Sequence, residues 1–285
     1  MPGEIAHDSD ETEKPPAHQE VEEHTSVRLE VVHAAVVRNG ERELRRSTSA
    51  LAWSGLAAGL SMGFSFIGEG VLRAGLPDTQ WRSLITDIGY SLGYMVVILA
   101  RQQLFTENTL TAILPLMSRR NWATFIQVTR LWTVVLLANL AGAHLVAWVL
   151  GNTPVFSRGV QTAFAELARQ SASVTFSQAL LRGIFAGWII ALLVWILAAM
   201  ETHGVGVIIL LTWLVAAGQF THVIAGSIEV LFLVMTGKMA WTAYLGGYML
   251  PTLLGNVLGG VSLVSALNHA QVTSGESGSA EDLED

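Results

Sequence analysis

The chain has no cysteine among its 285 residues. That excludes disulfides and thiolate metal sites. It is also poor in charge. Only 14% of residues are charged, where a soluble domain carries about a quarter. The charge present sits at the ends. Residues 1 to 46 hold a dense mixture of both signs, and Ser274 to Asp285 are small or acidic. The net charge of −7 comes largely from these tails and gives no sign of nucleic-acid binding. The amino-terminal stretch has Pro15-Pro16, several Glu and no apolar run. It cannot bury enough surface to fold alone, and it does not read as a secretory signal, so targeting would fall to the first span.

What is abundant is apolar sequence, 51% of the chain. Residues 47 to 270 are too apolar for an ordinary soluble surface and read as a membrane body. A spanning helix needs about 20 mostly apolar residues. Six runs qualify: 49–71, 85–116, 125–150, 176–200, 206–236 and 240–267. The second is interrupted at 101–107 and the fifth at 218–226. Both are too long for one simple span and carry polar residues in the middle. A freed backbone group in hydrocarbon costs several kcal/mol, so such breaks survive only under a protein or wet cover. The expected fold class is therefore an all-α membrane bundle of six helices, the second and fifth broken.

Flanking segments complete the organisation. Residues 1–46 form an amino-terminal tail. Within it Val27, Leu29, Val31, Val32, Ala35, Val36 and Leu44 alternate with charged residues. This predicts a surface amphipathic helix, broken near Asn39-Gly40, with a solvated linker as the plainer alternative. Residues 271–285 form an acidic carboxy-terminal tail. Arg42, Arg45, Arg46, Arg119 and Arg120 fall on one side of the six runs. That side is expected to be cytoplasmic and to hold both termini.

The two halves resemble each other. Gly55-Leu-Ala-Ala-Gly59 matches Gly183-Ile-Phe-Ala-Gly187, Gln103-Leu-Phe-Thr106 matches Gln219-Phe-Thr221, and Asn139-Leu-Ala-Gly142 matches Asn256-Val-Leu-Gly259. Each match alone is ordinary packing of small residues between membrane helices. Three in the same order, one pair at the breaks, predict a repeat. Three spans per repeat would place the second half upside down, with the breaks meeting near the bilayer centre, as in transport paths.

The breaks carry the candidate site: Leu104, Phe105, Thr106, Glu107 and Asn108 in the first, Phe220, Thr221 and His222 in the second. Ionisable groups there are functional candidates by default. A histidine can give a proton to a weak anion or polarise it near neutral pH. The neutral acid crosses apolar constrictions that its anion does not. Leu104, Phe105 and Phe220 are the expected constrictions, and Thr106 either binds solute or fixes the imidazole tautomer. Helix starts after the breaks favour anions. The plainer reading of His222 is a buried histidine satisfied by a backbone carbonyl. Arg101 is expected to pair with Glu107 or to point to the cytoplasmic mouth. Asn139 and Asn256 are expected to bond broken-helix backbone, and His144 and His203 to be structural.

At these residues the sequence resembles the formate/nitrite transporter family, over roughly residues 45 to 270. The resemblance rests on Leu104-Phe105-Thr106 with Asn108, on His222 after Phe220, on Gly255-Asn256-Val257-Leu258-Gly259-Gly260, and on Asn139 to Gly142. It implies an aquaporin-like fold, a divergent bacterial inner-membrane member, a homopentamer with one pore per protomer, no cofactor, and passage of small monovalent anions or weak acids with protons. Some residues depart from the family pattern. Thr221 stands where Glu is common, Gly226 and Gly187 where Asn is frequent, Glu107 where a small residue is usual, and Gln103 where Glu is frequent. These departures keep open a pore for a neutral or cationic solute. The acidic tails keep open a non-conducting partner subunit. An enzyme is not expected.

Overall fold

In hydrocarbon, backbone N–H and C=O groups must be satisfied within their own segment, which favours helices. The computed structural model describes residues 29–200 and 204–266, and these are helical with no strand. His203, the first residues of the amino-terminal amphipathic stretch and the acidic carboxy-terminal tail lie outside the described residues.

Helix α1 covers Leu29–Leu44 without a break. The expected interruption at Asn39-Gly40 is absent for a packing reason. A Cβ on Gly40 would lie 1.8 Å from the Thr111 carbonyl oxygen, so the glycine serves close approach to another helix. The apolar face of α1 is not simply a membrane-surface face. Val32 and Val36 are buried in one cluster with Leu110, Leu114 and Trp195. Arg130 holds the end of α1, donating to the carbonyls of Leu44 (2.7 Å) and Arg46 (3.0 Å).

The first apolar run forms α2 (Thr48–Ser61), capped by the Ser47 hydroxyl, and α3 (Gly63–Gly75). A short α4 (Arg82–Thr86) leads to α5 (Ser91–Leu99). After a gap, α6 (Phe105–Thr111) and α7 (Ile113–Arg119) finish the second run. The third run is α8 (Trp122–Asn152), started by Asn121, whose side chain accepts from the Thr124 N–H at 2.8 Å. Helix α9 (Arg158–Ala172) follows. Its polar face sets it apart from the apolar runs, so it falls outside the six expected spans. The fourth run is α10 (Phe176–Ala199), opened by a capping box of Thr175 and Gln178. The fifth run splits into α11 (Val205–Ala217) and α12 (Ala225–Met235). The sixth is π-helical over Ala243–Met249, α-helical as α13 over Leu250–Leu258, and π-helical again over Gly259–Ala266.

Among the described residues, three helical stretches are long and apolar enough to cross a membrane: Thr48–Gly75, Trp122–Asn152 and Phe176–Ala199, with mean hydropathy of 1.4, 1.9 and 2.2. Large apolar side chains face outward, Trp53, Leu137, Leu181 and Leu210 among them.

Two helix pairs frame the site. Helix α2 packs along α8, and α10 packs along α13. Both contacts are backbone-close. A Cβ on Gly59 would sit 2.2 Å from the Asn139 carbonyl oxygen, and one on Gly187 would sit 2.3 Å from that of Asn256. Small residues permit such approach between membrane helices. At position 187 any larger side chain collides with backbone.

Candidate functional site

The two interruptions are built alike. Helix α5 ends with Arg101 in the left-handed region (φ 52°). The N–H of Arg101 reaches the Ile98 carbonyl (3.1 Å) and that of Gln102 reaches Val97 (2.9 Å). Helix α11 ends with Gln219 at the same φ of 52°. There the N–H of Gln219 reaches Ala216 (2.8 Å) and that of Phe220 reaches Val215 (2.9 Å). Both are Schellman-type ends, which satisfy carbonyls that the broken helix would otherwise leave open.

Beyond each end an asparagine carries the extended backbone. The Asn139 amide Nδ2 donates to the carbonyls of Gly55 (2.7 Å) and Gln103 (2.9 Å), and its Oδ1 accepts from the Phe105 N–H (2.9 Å). The Asn256 Nδ2 donates to the carbonyls of Gly183 (2.9 Å) and Thr221 (2.9 Å), and its Oδ1 accepts from the Val223 N–H (2.8 Å). Both asparagines are fully buried. Four backbone groups of the breaks are thus paired where no helix pairs them, as a buried peptide requires.

These bonds fix a register that the sequence match missed. Arg101 corresponds to Gln219, Gln103 to Thr221 and Phe105 to Val223. The sequence had aligned Gln103 with Gln219 on a shared Gln, Phe and Thr. Side-chain identity there was a coincidence of composition, offset by two residues from the backbone equivalence. In the structural register His222 occupies the place of Leu104.

The side chains of the breaks meet. The Nε2 of His222 lies 2.8 Å from the Thr106 hydroxyl. On the other ring edge Nδ1 accepts from the N–H groups of Ile224 and Ala225, each at 3.2 Å. Nδ1 is therefore an acceptor, and the ring hydrogen sits on Nε2, donating to Thr106. The hydroxyl hydrogen of Thr106 is left for another acceptor. Tyr94 stands edge-on to the imidazole, with ring centroids 5.4 Å apart. His222, Thr106 and Tyr94 are all buried. Sequence reasoning missed Tyr94, which lies in an apolar stretch with no local polar pattern.

The other candidates divide between lining and support. Phe220 stacks on Phe185 (5.2 Å) and lines a cavity with Thr221 and His222. The Thr221 hydroxyl donates to the Ala179 carbonyl (2.7 Å). Phe105 packs edge-on against Trp132 (5.8 Å). Leu104, Phe105 and Thr106 line neither cavity and form a closed, buried stretch. Asn108 is framework. Its amide donates to Gln103 Oε1 (3.1 Å) and the Leu104 carbonyl (3.2 Å), and its own carbonyl accepts from the Trp132 indole (3.0 Å). Gln103 in turn donates to Glu43 of α1 (2.8 Å). Glu107 is not paired with Arg101 as expected. Both line one cavity, yet Glu107 Oε1 is buried without a hydrogen-bond partner among the described residues. His144 stacks on Trp241 (5.5 Å).

Two cavities lie near the breaks. The one next to α1 has a volume of about 360 Å³ and is lined by Glu43, Arg101, Gln103, Glu107 and Asn108. The other has about 70 Å³ and is lined by His222 together with Glu69, Asp87 and Glu229. The described residues contain no cluster of side chains suited to a metal ion.

Fold and site together define an all-α protein with membrane-span candidates, built around two interrupted helices that touch through a histidine. The chain belongs to the formate/nitrite transporter family, whose family model matches residues 30–270. It is 38% identical to the inner membrane protein YfdC of Escherichia coli (strain K12), over 94% of this chain and 87% of that protein. It is 25% identical to the formate channel BtFdhC of Bacillus thuringiensis, over 82% and 92%. Among solved structures it shares its fold with a pentameric formate channel with formate bound (TM-score 0.65, 20% identity, 83% of this chain and 98% of that one). An FNT family ion channel matches similarly (TM-score 0.68, 21% identity, 82% and 96%).

Proposed function

We propose that the protein is a channel for small monovalent anions of the formate and nitrite kind, or their conjugate acids, with His222 and Thr106 at its centre. The observation that supports this most is the bond between Nε2 of His222 and the Thr106 hydroxyl, with one cavity lined by His222 and another by Gln103, Glu107 and Asn108. The imidazole polarises Thr106, and the threonine presents its hydrogen to an anion passing between the cavities. The chain uses six spans in two inverted three-span repeats. The matching bonds of Asn139 and Asn256 support this. Leu104, Phe105, Phe220 and Thr221 shape the path, and Glu107 and Asn108 set its α1-side mouth. Residues 1–46 and 271–285 are cytoplasmic tails around a pore body of residues 47–270. The setting is a bacterial inner membrane and the assembly a homopentamer, in line with the relatives named above. No covalent chemistry and no cofactor enter this reading.

The test is uptake into proteoliposomes across formate, nitrite, hydrosulfide, acetate, glycerol and ammonium. Formate or nitrite uptake that collapses on His222→Ala is expected. Full anion uptake by an intact His222→Ala protein refutes the central histidine. A second reading, a pore for a neutral or cationic solute, draws on the buried, unpartnered Glu107 oxygen. Glycerol and ammonium in the same panel separate the two.

A further inference from the structure

The smaller cavity, lined by His222, contains two carboxyl groups that the reading above does not use. Glu69 comes from α3 and Glu229 from α12, and both line this cavity. They are only 5% and 7% exposed. Ser171 of α9 donates its hydroxyl to Glu229. The Oε2 atom of Glu69 is buried with no hydrogen-bond partner among the described residues. The natural counter-charge is occupied elsewhere. Arg73, one turn after Glu69 on α3, binds Glu166 of α9 at 2.9 Å. Two carboxyls held at this burial without a cation bonded to them are costly in a membrane protein, so such a place holds a proton or a cation.

The rest of the lining favours the proton. Arg73 and Arg182 share the cavity, and fixed positive charge there opposes a second cation and draws an anion. The other titratable groups facing the pair are Asp87 and Tyr90 from the α4–α5 region, Tyr248 from the sixth run, and His222 itself. Asp87 is only half-buried and lines the same cavity. The imidazole does not supply this proton in the observed arrangement. Its Nδ1 is taken by two backbone N–H groups and its Nε2 faces Thr106.

We propose that Glu69 and Glu229 form a proton-loading site, which converts a weak-acid anion to its neutral acid before it passes His222. The step transfers one proton from a glutamic acid oxygen to the carboxylate or nitrite oxygen of the solute. One O–H bond breaks and one forms, leaving a glutamate that is reloaded from water through Asp87. The neutral acid then enters the closed stretch at far lower cost than its anion. This inference rests on the anion reading given above.

The experiment is formate uptake into proteoliposomes from about pH 5 to about pH 7, for the unmutated protein and for Glu69→Gln, Glu229→Gln and the double variant. Without a local donor, uptake follows the neutral acid in bulk water, which falls about ten-fold per pH unit above the acid's own pKa. The double variant is expected to show that steep fall. The unmutated protein falls less, so the gap between them widens to at least about ten-fold near neutrality. Identical pH profiles overturn the inference and leave the anion channel standing. Faster formate uptake by the variants at neutral pH overturns it too, because the carboxylates then repel the solute. An unmutated protein that passes neither formate nor nitrite at any pH removes both readings. Should the variants fail to assemble, infrared difference spectra of the unmutated protein decide. Formate addition is expected to diminish a protonated-carboxyl band, and an unchanged band overturns the proposal.

Discussion

Nε2 of His222 and the hydroxyl of Thr106 lie 2.8 Å apart, although 116 residues separate them in the chain. Each sits in an interruption of a helix that would otherwise run on. The contact depends on two Schellman-type ends and two buried asparagines. Its chemistry is directional, because backbone N–H groups on Nδ1 leave the ring hydrogen on Nε2.

The relay predicts a difference between two conservative threonine variants. Thr106→Val keeps the shape but leaves the Nε2–H without its acceptor. An unmet buried donor costs about 1–3 kcal/mol, which slows uptake about ten- to a hundred-fold if felt at the crossing. Thr106→Ser retains the hydroxyl and is expected to stay close to the parent rate. Equal rates for the valine and serine variants in proteoliposome uptake contradict the relay.

Asn139→Ala and Asn256→Ala are expected to destabilise the protein to a similar extent. Each removes three hydrogen bonds to backbone. At about 1 kcal/mol per bond, with more for buried groups left unmet, the cost is about 3 kcal/mol or above. Thermal unfolding of the detergent-solubilised protein reads it. A loss confined to one of the two argues against equivalent roles.

Arg101→Gly and Gln219→Gly are expected to raise the melting temperature. Both residues hold a positive φ of 52°, a conformation that costs a side-chain-bearing residue about 1–2 kcal/mol. Valine at either position is expected to lower it. No gain from glycine at Gln219, which is exposed, would mean that the turn carries little strain.

Arg130→Ala is expected to loosen the end of α1. The guanidinium donates to the carbonyls of Leu44 and Arg46, and hydrogen bonds from charged groups contribute about 1.5–3 kcal/mol. Trypsin should then cut at Arg45 or Arg46 several-fold faster, with the membrane body intact. An unchanged cleavage rate means the helix is held by its other contacts, among them Val32, Val36, Gly40 and the Gln103–Glu43 bond.

The interruptions were legible because polar residues in a long apolar run violate the membrane pattern, and Asn139 and Asn256 were legible as their supports. Their register was not. The Gln, Phe and Thr shared by the two breaks suggested an alignment, but the backbone bonds of Asn139 and Asn256 select Gln103 with Thr221. Gly40 read as a helix breaker and proved to be a contact with Thr111, since a lone glycine has the same sequence signature in both roles. Glu69 and Glu229 stand in separate apolar runs. Nothing local in the chain reports that α3 and α12 bring them to one cavity.

What the sequence alone determined is the solvent and the periodicity of breakage. Runs of apolar residues require helices in hydrocarbon, and clustered polar residues require those helices to stop. What only the tertiary structure decided is which stopped ends face each other and what they hold. That choice depends on close backbone approach at Gly59 and Gly187, and on bonds between residues more than seventy positions apart such as Asn256 and Gly183. Burial, not local propensity, makes those bonds obligatory, and burial exists only once the helices have packed.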